Sequence, residues 1–108
     1  MLFRSVDLGI LEYADRIWVS DCVDPVERAD IQRYTSLLVP PAMMGEHVGA
    51  SPAHATRRET SQELRMAMAF FGHMGIEWNL LKEPDEALAK LAVWVAEFKK
   101  HQIGRAHV

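Results

Sequence analysis

Asp21 is the residue best placed to do chemistry. It follows Arg16-Ile17-Trp18-Val19-Ser20, a β-branched and aromatic run that reads as a short strand. A carboxyl just past the C-terminal end of a barrel strand stands where βα folds build their active sites. With a second carboxyl across a glycosidic bond, such a group can protonate the leaving oxygen. Position alone leaves a plainer reading open, in which Asp21 is a solvated turn residue or assists a helix cap at Asp24. Cys22 follows the acid and stands either at the rim of a site or as a buried thiol. His47, His54 and His73, with Glu46 beside them, are metal-ligating types, but their spacing fits no tight pattern such as H-x-x-x-H.

Three segments repeat one order: a short apolar run, a polar turn, then an amphipathic helix. After the strand at 16–20, Asp24-Pro25-Val26-Glu27 opens a helix: Asp24 can cap, Pro25 suits the first position and Glu27 can close a capping box. The spacing predicts a helix to about Leu38, with Ile31, Tyr34, Leu37 and Leu38 along one side and Pro40-Pro41 as its stop. Ala42–Gly49 holds a short buried strand, and 51–59 is a polar loop. Thr60-Ser61-Gln62-Glu63 reads as a second capping box. Its helix carries Leu64, Ala67, Met68 and Phe71 at helical spacing, with Met66, Ala69 and Phe70 making it apolar on most sides. Gly75–Leu81 is the third strand. Pro84-Asp85-Glu86 starts the last helix, whose stripe is Leu88, Leu91, Ala92, Val95 and Phe98, with Lys99 and Lys100 in its last turn.

Strand and helix alternate with connections too long for hairpins, which argues for parallel βαβ units and an α/β fold. Three units do not close a sheet, so the chain reads as a slice of a larger structure, a barrel first of all. Ile103-Gly104-Arg105-Ala106-His107-Val108 does not follow the helical pattern. It is similar to what a common sequencing adapter encodes in one reading frame. Residues 1–102 are therefore taken as the domain and 103–108 as a non-native tail, the alternative being an ordinary tail.

The totals narrow the partners. A net charge of −3 gives neither the basic face of a nucleic-acid binder nor a polybasic membrane signal. No apolar run reaches the roughly 18 residues of a membrane span. One cysteine, Cys22, excludes a disulfide within the chain and a four-cysteine zinc site. It points to a reducing compartment, and the expected localisation is cytoplasmic.

Four stretches, in order, carry a resemblance. Trp18-Val19-Ser20-Asp21-Cys22-Val23-Asp24-Pro25-Val26-Glu27-Arg28 resembles the W-x-S-D-x-x-D-x-x-x-R acid/base segment of the melibiase-type α-galactosidases, glycoside hydrolase family 36. Pro40–Val48 resembles that family's P-P-x-x-M-G-x-H-V, and Phe71–Leu80 its F-G-x-L-G-x-E-x-D-L. Val6–Leu11 resembles the segment before the acid/base strand. The resemblance covers about residues 4–101. His54 and Arg58 match a loop of the form x-H-x-x-G-R, from which Ala53, Ala55 and Arg57 depart.

The resemblance implies that Asp21 is the general acid/base of a retaining, two-carboxylate hydrolysis of terminal α-galactosyl groups from oligosaccharides such as melibiose and raffinose. It implies units six to eight of a (β/α)8 TIM barrel. It also suggests that Trp18 lines the galactose pocket, the alternative being a strand side chain in the barrel core. Asp24 and Arg28 match the family and are read as a cap and its charged partner one turn on. The family's nucleophile lies in a K-W-D segment that is absent here, as is its Cys- and Gly-rich sugar loop. No cofactor or metal is implied, and the parent enzyme is open to homo-oligomers. Two other readings stand beside this one: an inactive truncated barrel fragment, and a metal-dependent hydrolase or binding module built on His47, His54 and His73.

Overall fold

The computed structural model describes residues 8–106, with side chains as far as 102. The chain forms two compact units, Met1–Glu77 and Trp78–Val108. Of the four matching stretches, Val6 and Asp7 lie outside the described residues, and Leu8–Glu12 is a 3-10 helix.

The first unit is α/β. Strand β1 is Ile17–Trp18, β2 is Met44–Gly49 and β3 is His73–Glu77. They form one sheet in the order β1-β2-β3, parallel throughout. Helix α1, Pro25–Thr35, and helix α2, Gln62–Phe70, are the two crossovers. α2 packs on β2 and β3, and α1 packs on α2. The three-stranded parallel sheet expected from the alternation is present, and it is consistent with part of a barrel.

Register decides which side chains meet. Trp18 pairs with Gly45, Gly45 with His73, His47 with Gly75 and Gly49 with Glu77. Side chains alternate across a strand. One face of the sheet therefore carries Trp18, Gly45, His47, Gly49, His73, Gly75 and Glu77. The other carries Met44, Glu46 and Val48, each at most 2% exposed. The buried core, Val39, Met44, Val48, Met66, Ala69 and Phe70, gathers on this second face, beneath the helices.

Several element limits and faces differ from the sequence reading. β1 is only two residues, because the chain leaves the sheet where Arg28 captures the carbonyl of Ser20. α1 stops at Thr35 with Ser36 as its C-cap, so Leu37 and Leu38 lie beyond it and, with Tyr34, are exposed. Its buried residues are Pro25 and Arg28 instead. α2 is capped by Ser61, whose hydroxyl accepts from the Leu64 amide at 3.2 Å, one residue later than a box read from Thr60. It buries Met66, Ala69 and Phe70, while Leu64 and Phe71 from the expected stripe stay exposed. Either set satisfies helical spacing, and the sheet selects the set holding the fully buried Met66. β3 begins two residues before Gly75, because its pairing with β2 starts at Gly45↔His73. It ends at Glu77, and Leu80–Lys82 is a 3-10 turn capped by the side chain of Asn79.

In the second unit, α3 spans Asp85–Ala106. Asp85 and Glu86 occupy its first turn, as the helix dipole favours. Leu91 and Phe98 are its best-buried described side chains, and Ala92, expected in the same stripe, is exposed. The helix passes through Ile103, Gly104, Arg105 and Ala106, so the helical pattern does not end at Gln102 and Lys99 and Lys100 fall short of the last turn. Residues 107 and 108 lie outside the described residues.

The loop from Ser51 to Glu59 folds back on itself through Arg57 N–H to the Ala53 carbonyl, 2.8 Å, and Ala53 N–H to the Arg58 carbonyl, 2.9 Å. Arg57 stands at φ 61°, in the left-handed region that favours glycine. This is the position where the resembling loop has Gly. Left-handed geometry costs a side chain roughly 1–2 kcal/mol, and glycine's freer unfolded state returns part of that. Arg57→Gly is thus expected to stabilise the fold by about 0.5–1 kcal/mol, read as a higher urea midpoint. An unchanged or lower midpoint would show that Arg57 is held there by contacts that outweigh the strain.

Candidate active site

Asp21 sits in the loop from β1 to α1, exposed, at the C-terminal end of β1. Its Oδ1 accepts a hydrogen bond from the indole Nε1–H of Trp18 at 2.9 Å. Trp18 is 46% exposed on the glycine-rich face of the sheet, so it is no core side chain within this unit. It brings a carboxyl and an aromatic ring together above the same strand end.

The loop that carries Asp21 is pinned by Arg28, a buried residue of α1. The guanidinium donates through Nε to the Cys22 carbonyl at 2.7 Å and through Nη2 to the Ser20 carbonyl at 2.9 Å. These carbonyls flank Asp21 on either side. The same guanidinium lies 5.8 Å from the centroid of the Trp18 ring, within cation–π reach. Burial pulls the Arg28 pKa down, while Glu46, Cys22 and Glu77 push it back up. A guanidinium starts so far above neutrality that it remains charged. Cys22 is half-buried, held through its backbone: its N–H donates to Ser20 Oγ at 3.1 Å.

Asp24 anchors the next layer down. It is fully buried and caps α1, its Oδ1 accepting from the Val26 amide at 3.0 Å. Its partners across the fold come from the loop after β2: the Thr56 hydroxyl donates to Oδ2 at 2.6 Å, and Arg58 Nη1 stands 3.1 Å from the same oxygen as an ion pair. The angle at Nη1 falls short of a hydrogen bond, so the Arg58 contribution is Coulombic. Arg58, not Arg28, is therefore the charged partner of Asp24. Arg28 turns instead to backbone carbonyls. Burial raises the Asp24 pKa, but the Thr56 hydroxyl, the Val26 amide, Arg58 and the Glu27 amide outweigh it and hold the carboxyl below its ordinary value.

Two glycines make room for the side chains around Asp21. A Cβ on Gly45 would stand 3.1 Å from Trp18 Cε3, tighter than ordinary contact, and one on Gly75 would overlap the ring of His47. The His47 and Trp18 rings meet edge to face, centroids 4.4 Å apart and planes at 77°. His47 Nδ1 lies 3.3 Å from Glu77 Oε2. His73 shares this face. Burial, then the nearby Arg16 and His47, holds its pKa below the ordinary value, so His73 is neutral at pH 7.

The sequence singled out Asp21, Trp18, Cys22, His47, His54 and His73. The structure brings Asp21, Trp18 and His47 together, with His73 on the same sheet face. His54 is exposed in the 51–59 loop. Among the described residues no group of three or more His, Cys, Asp and Glu is arranged to hold a metal ion. Glu77 and the loop-pinning role of Arg28 were not singled out. Glu77 stands at the Glu of the F-G-x-L-G-x-E-x-D-L stretch, but it lies thirty positions from His47 and meets it only through strand register. A groove of about 430 Å³ lies on the helix side, between α1 and α2, lined by Gln32, Met44, Met68 and Phe71 among others. Neither Asp21 nor Trp18 lines it.

Residues 4–104 match the family model described as Melibiase. The sequence is 40% identical over 94 residues to the α-galactosidase Mel36A of Lactobacillus acidophilus, covering 87% of this chain and 13% of that protein. It is 44% identical over 72 residues to an Escherichia coli α-galactosidase, covering 67% of this chain and 10% of that one. The fold superposes on the α-galactosidase of Lactobacillus brevis with a TM-score of 0.87 at 42% identity, covering 89% of this chain and 13% of the larger one. It also superposes on a variant of the α-galactosidase AgaA of Geobacillus stearothermophilus, solved in complex with raffinose, with a TM-score of 0.85 at 35% identity, covering 87% and 13%. The chain thus spans roughly an eighth or less of the relatives it matches.

Proposed function

This chain belongs to the melibiase family, and on that premise we propose that it is the segment of an α-galactosidase that supplies the general acid/base of the reaction, Asp21. The observation that carries this reading is the Trp18–Asp21 hydrogen bond on a loop whose two flanking carbonyls are held by Arg28. A general acid must hold its proton at one place relative to the scissile oxygen, and a solvated turn residue has no need of such fixing. The parallel βαβαβ run, with its glycine-rich face turned from the helices, fits three consecutive units of a (β/α)8 barrel, the sixth to eighth by the motif order. That face is then the lumen side, and Asp21 stands at the catalytic end of the barrel.

In this mechanism Asp21, protonated, gives its proton to the glycosidic oxygen as the bond from C1 to that oxygen breaks. A second carboxylate, supplied from outside these 108 residues, forms a bond to C1. Asp21, now ionised, takes a proton from water as that water attacks C1 and the carboxylate leaves. Two inversions give net retention. Trp18 fixes the carboxyl and offers its exposed ring to the C–H face of galactose. The substrate class is oligosaccharides with a terminal α-galactosyl group, of which raffinose is one.

A proton NMR time course of raffinose cleavage by the complete enzyme tests this. α-Galactose should appear first and mutarotate later, with sucrose left intact. First appearance of the β-anomer would mean a one-step displacement and would remove the covalent intermediate from the scheme. Absence of cleavage, with other α-galactosides also untouched, would overturn the assigned activity.

A further inference from the structure

The Trp18 indole that holds Asp21 is itself held from behind. It meets the His47 ring edge to face, 4.4 Å between centroids, and His47 Nδ1 lies 3.3 Å from Glu77 Oε2. The sequence runs Glu77, His47, Trp18, Asp21 across β3, β2 and β1, one residue from each strand and then the loop. A carboxylate can only accept, so this contact places the imidazole proton on Nδ1. The opposite edge of the ring, Nε2 and Cδ2, lies over Gly75, where any side chain would collide with it. One ring nitrogen is engaged by Glu77 and the other turns onto backbone. The ring is thus wedged between Glu77, the Gly75 backbone and the Trp18 indole.

We infer that His47 and Glu77 are positioning residues for the acid/base carboxyl, acting through the Trp18 indole. Glu77 sets the tautomer and tilt of His47. His47 sets the plane of Trp18. The indole N–H then fixes the direction from which Asp21 approaches the glycosidic oxygen. Gly45 and Gly75 are part of the device, because each leaves the space in which one of the two rings lies. The inference rests on the assignment of Asp21 as general acid/base.

The test uses the complete enzyme and two substrates that differ in their need for an acid: methyl α-galactoside, whose leaving group must be protonated, and 2,4-dinitrophenyl α-galactoside, whose leaving group departs unaided. The readout is kcat/KM, which reports the first, acid-assisted step. His47→Ala and Glu77→Ala are expected to lower it about 10–100-fold on the methyl galactoside, the loss that follows from displacing a catalytic group by an ångström or less. On the dinitrophenyl galactoside they are expected to lower it by about threefold or less, since no proton transfer is required there. Glu77→Gln keeps an acceptor for Nδ1–H and should recover most of the loss. Trp18→Phe removes the N–H donor, and His47→Ala added to it should cost little more than Trp18→Phe alone.

Equal losses on both substrates would show that His47 shapes the pocket or the fold and would overturn the inference. Additive losses in the Trp18→Phe background would do the same. Asp21→Ala is run alongside. If it too fails to discriminate between the substrates, the fault lies with the acid/base assignment, not with the positioning pair. If His47→Ala does not fold, the half-exposed Glu77 gives the same contrast through its Ala and Gln variants.

Discussion

Replacing Asp21 by Ala in the complete enzyme is expected to reduce kcat on raffinose by about 10²–10⁴-fold, the range a positioned general acid or base contributes. On an aryl α-galactoside with a good leaving group the pattern should be different. The first step needs little protonation and survives, while the second, in which Asp21 would draw a proton from water, becomes slow and the galactosyl-enzyme accumulates. Azide attacks C1 without a general base. Adding it should therefore restore turnover and divert the product to galactosyl azide of retained configuration. The size of the effect follows from position as well as chemistry: Asp21 Oδ1 is already fixed at 2.9 Å by the Trp18 indole, so its removal deletes a group that is held in place before substrate arrives. Turnover unchanged by Asp21→Ala would return Asp21 to a solvated turn residue and would leave the family match as a likeness of fold alone.

What could be read from the sequence was the local part of this arrangement. Asp24 and Pro25 announce a helix start because capping and a fixed φ act within three residues, and α1 does begin at Pro25. The alternation of apolar runs and helices gave the parallel sheet. The order of elements also put Asp21 in the connection after the first strand, and it lies there, between β1 and α1. The rest depends on register and on which face a helix turns inward, and these are settled between segments far apart in the chain. His47 meets Glu77 only because Gly49 pairs with Glu77 and His47 with Gly75. Met66 goes inward and Phe71 outward because the sheet accepts one side of a helix that is apolar on most sides. Arg28 was read as an i,i+4 partner of Asp24. It takes two backbone carbonyls instead, because a buried guanidinium needs several fixed acceptors. Arg58 then supplies the charge beside Asp24 from the loop after β2, a pairing that no spacing reveals.

Asp24 carries the second large effect, and it concerns stability. The carboxylate is fully buried, caps α1 and joins the loop after β1 to the loop after β2 through Thr56 and Arg58. Asp24→Ala should destabilise the fold by about 2–3 kcal/mol, combining a lost N-cap of roughly 1 kcal/mol with the stranding of the Thr56 hydroxyl and of Arg58. The ion-pair share is the smaller one, since the Arg58 side chain is 39% exposed and water screens it. The direction of the pH dependence follows from the carboxyl being held below its ordinary value. The folded state binds this proton less readily than the unfolded chain, so the stabilisation is complete above the unfolded carboxyl's pKa, near 4. It drains as pH falls from there through the lower folded value. Thermal unfolding of wild type and Asp24→Asn from pH 7 to pH 3 should therefore show a gap that is constant down to about pH 5 and then closes. Asn keeps a capping oxygen, so the gap that remains constant measures the charge on Thr56 and Arg58. The cap itself is read from the further loss in Asp24→Ala. A gap that widened on acidification would mean that burial outweighs the hydrogen bonds, and that Asp24 is held as the acid.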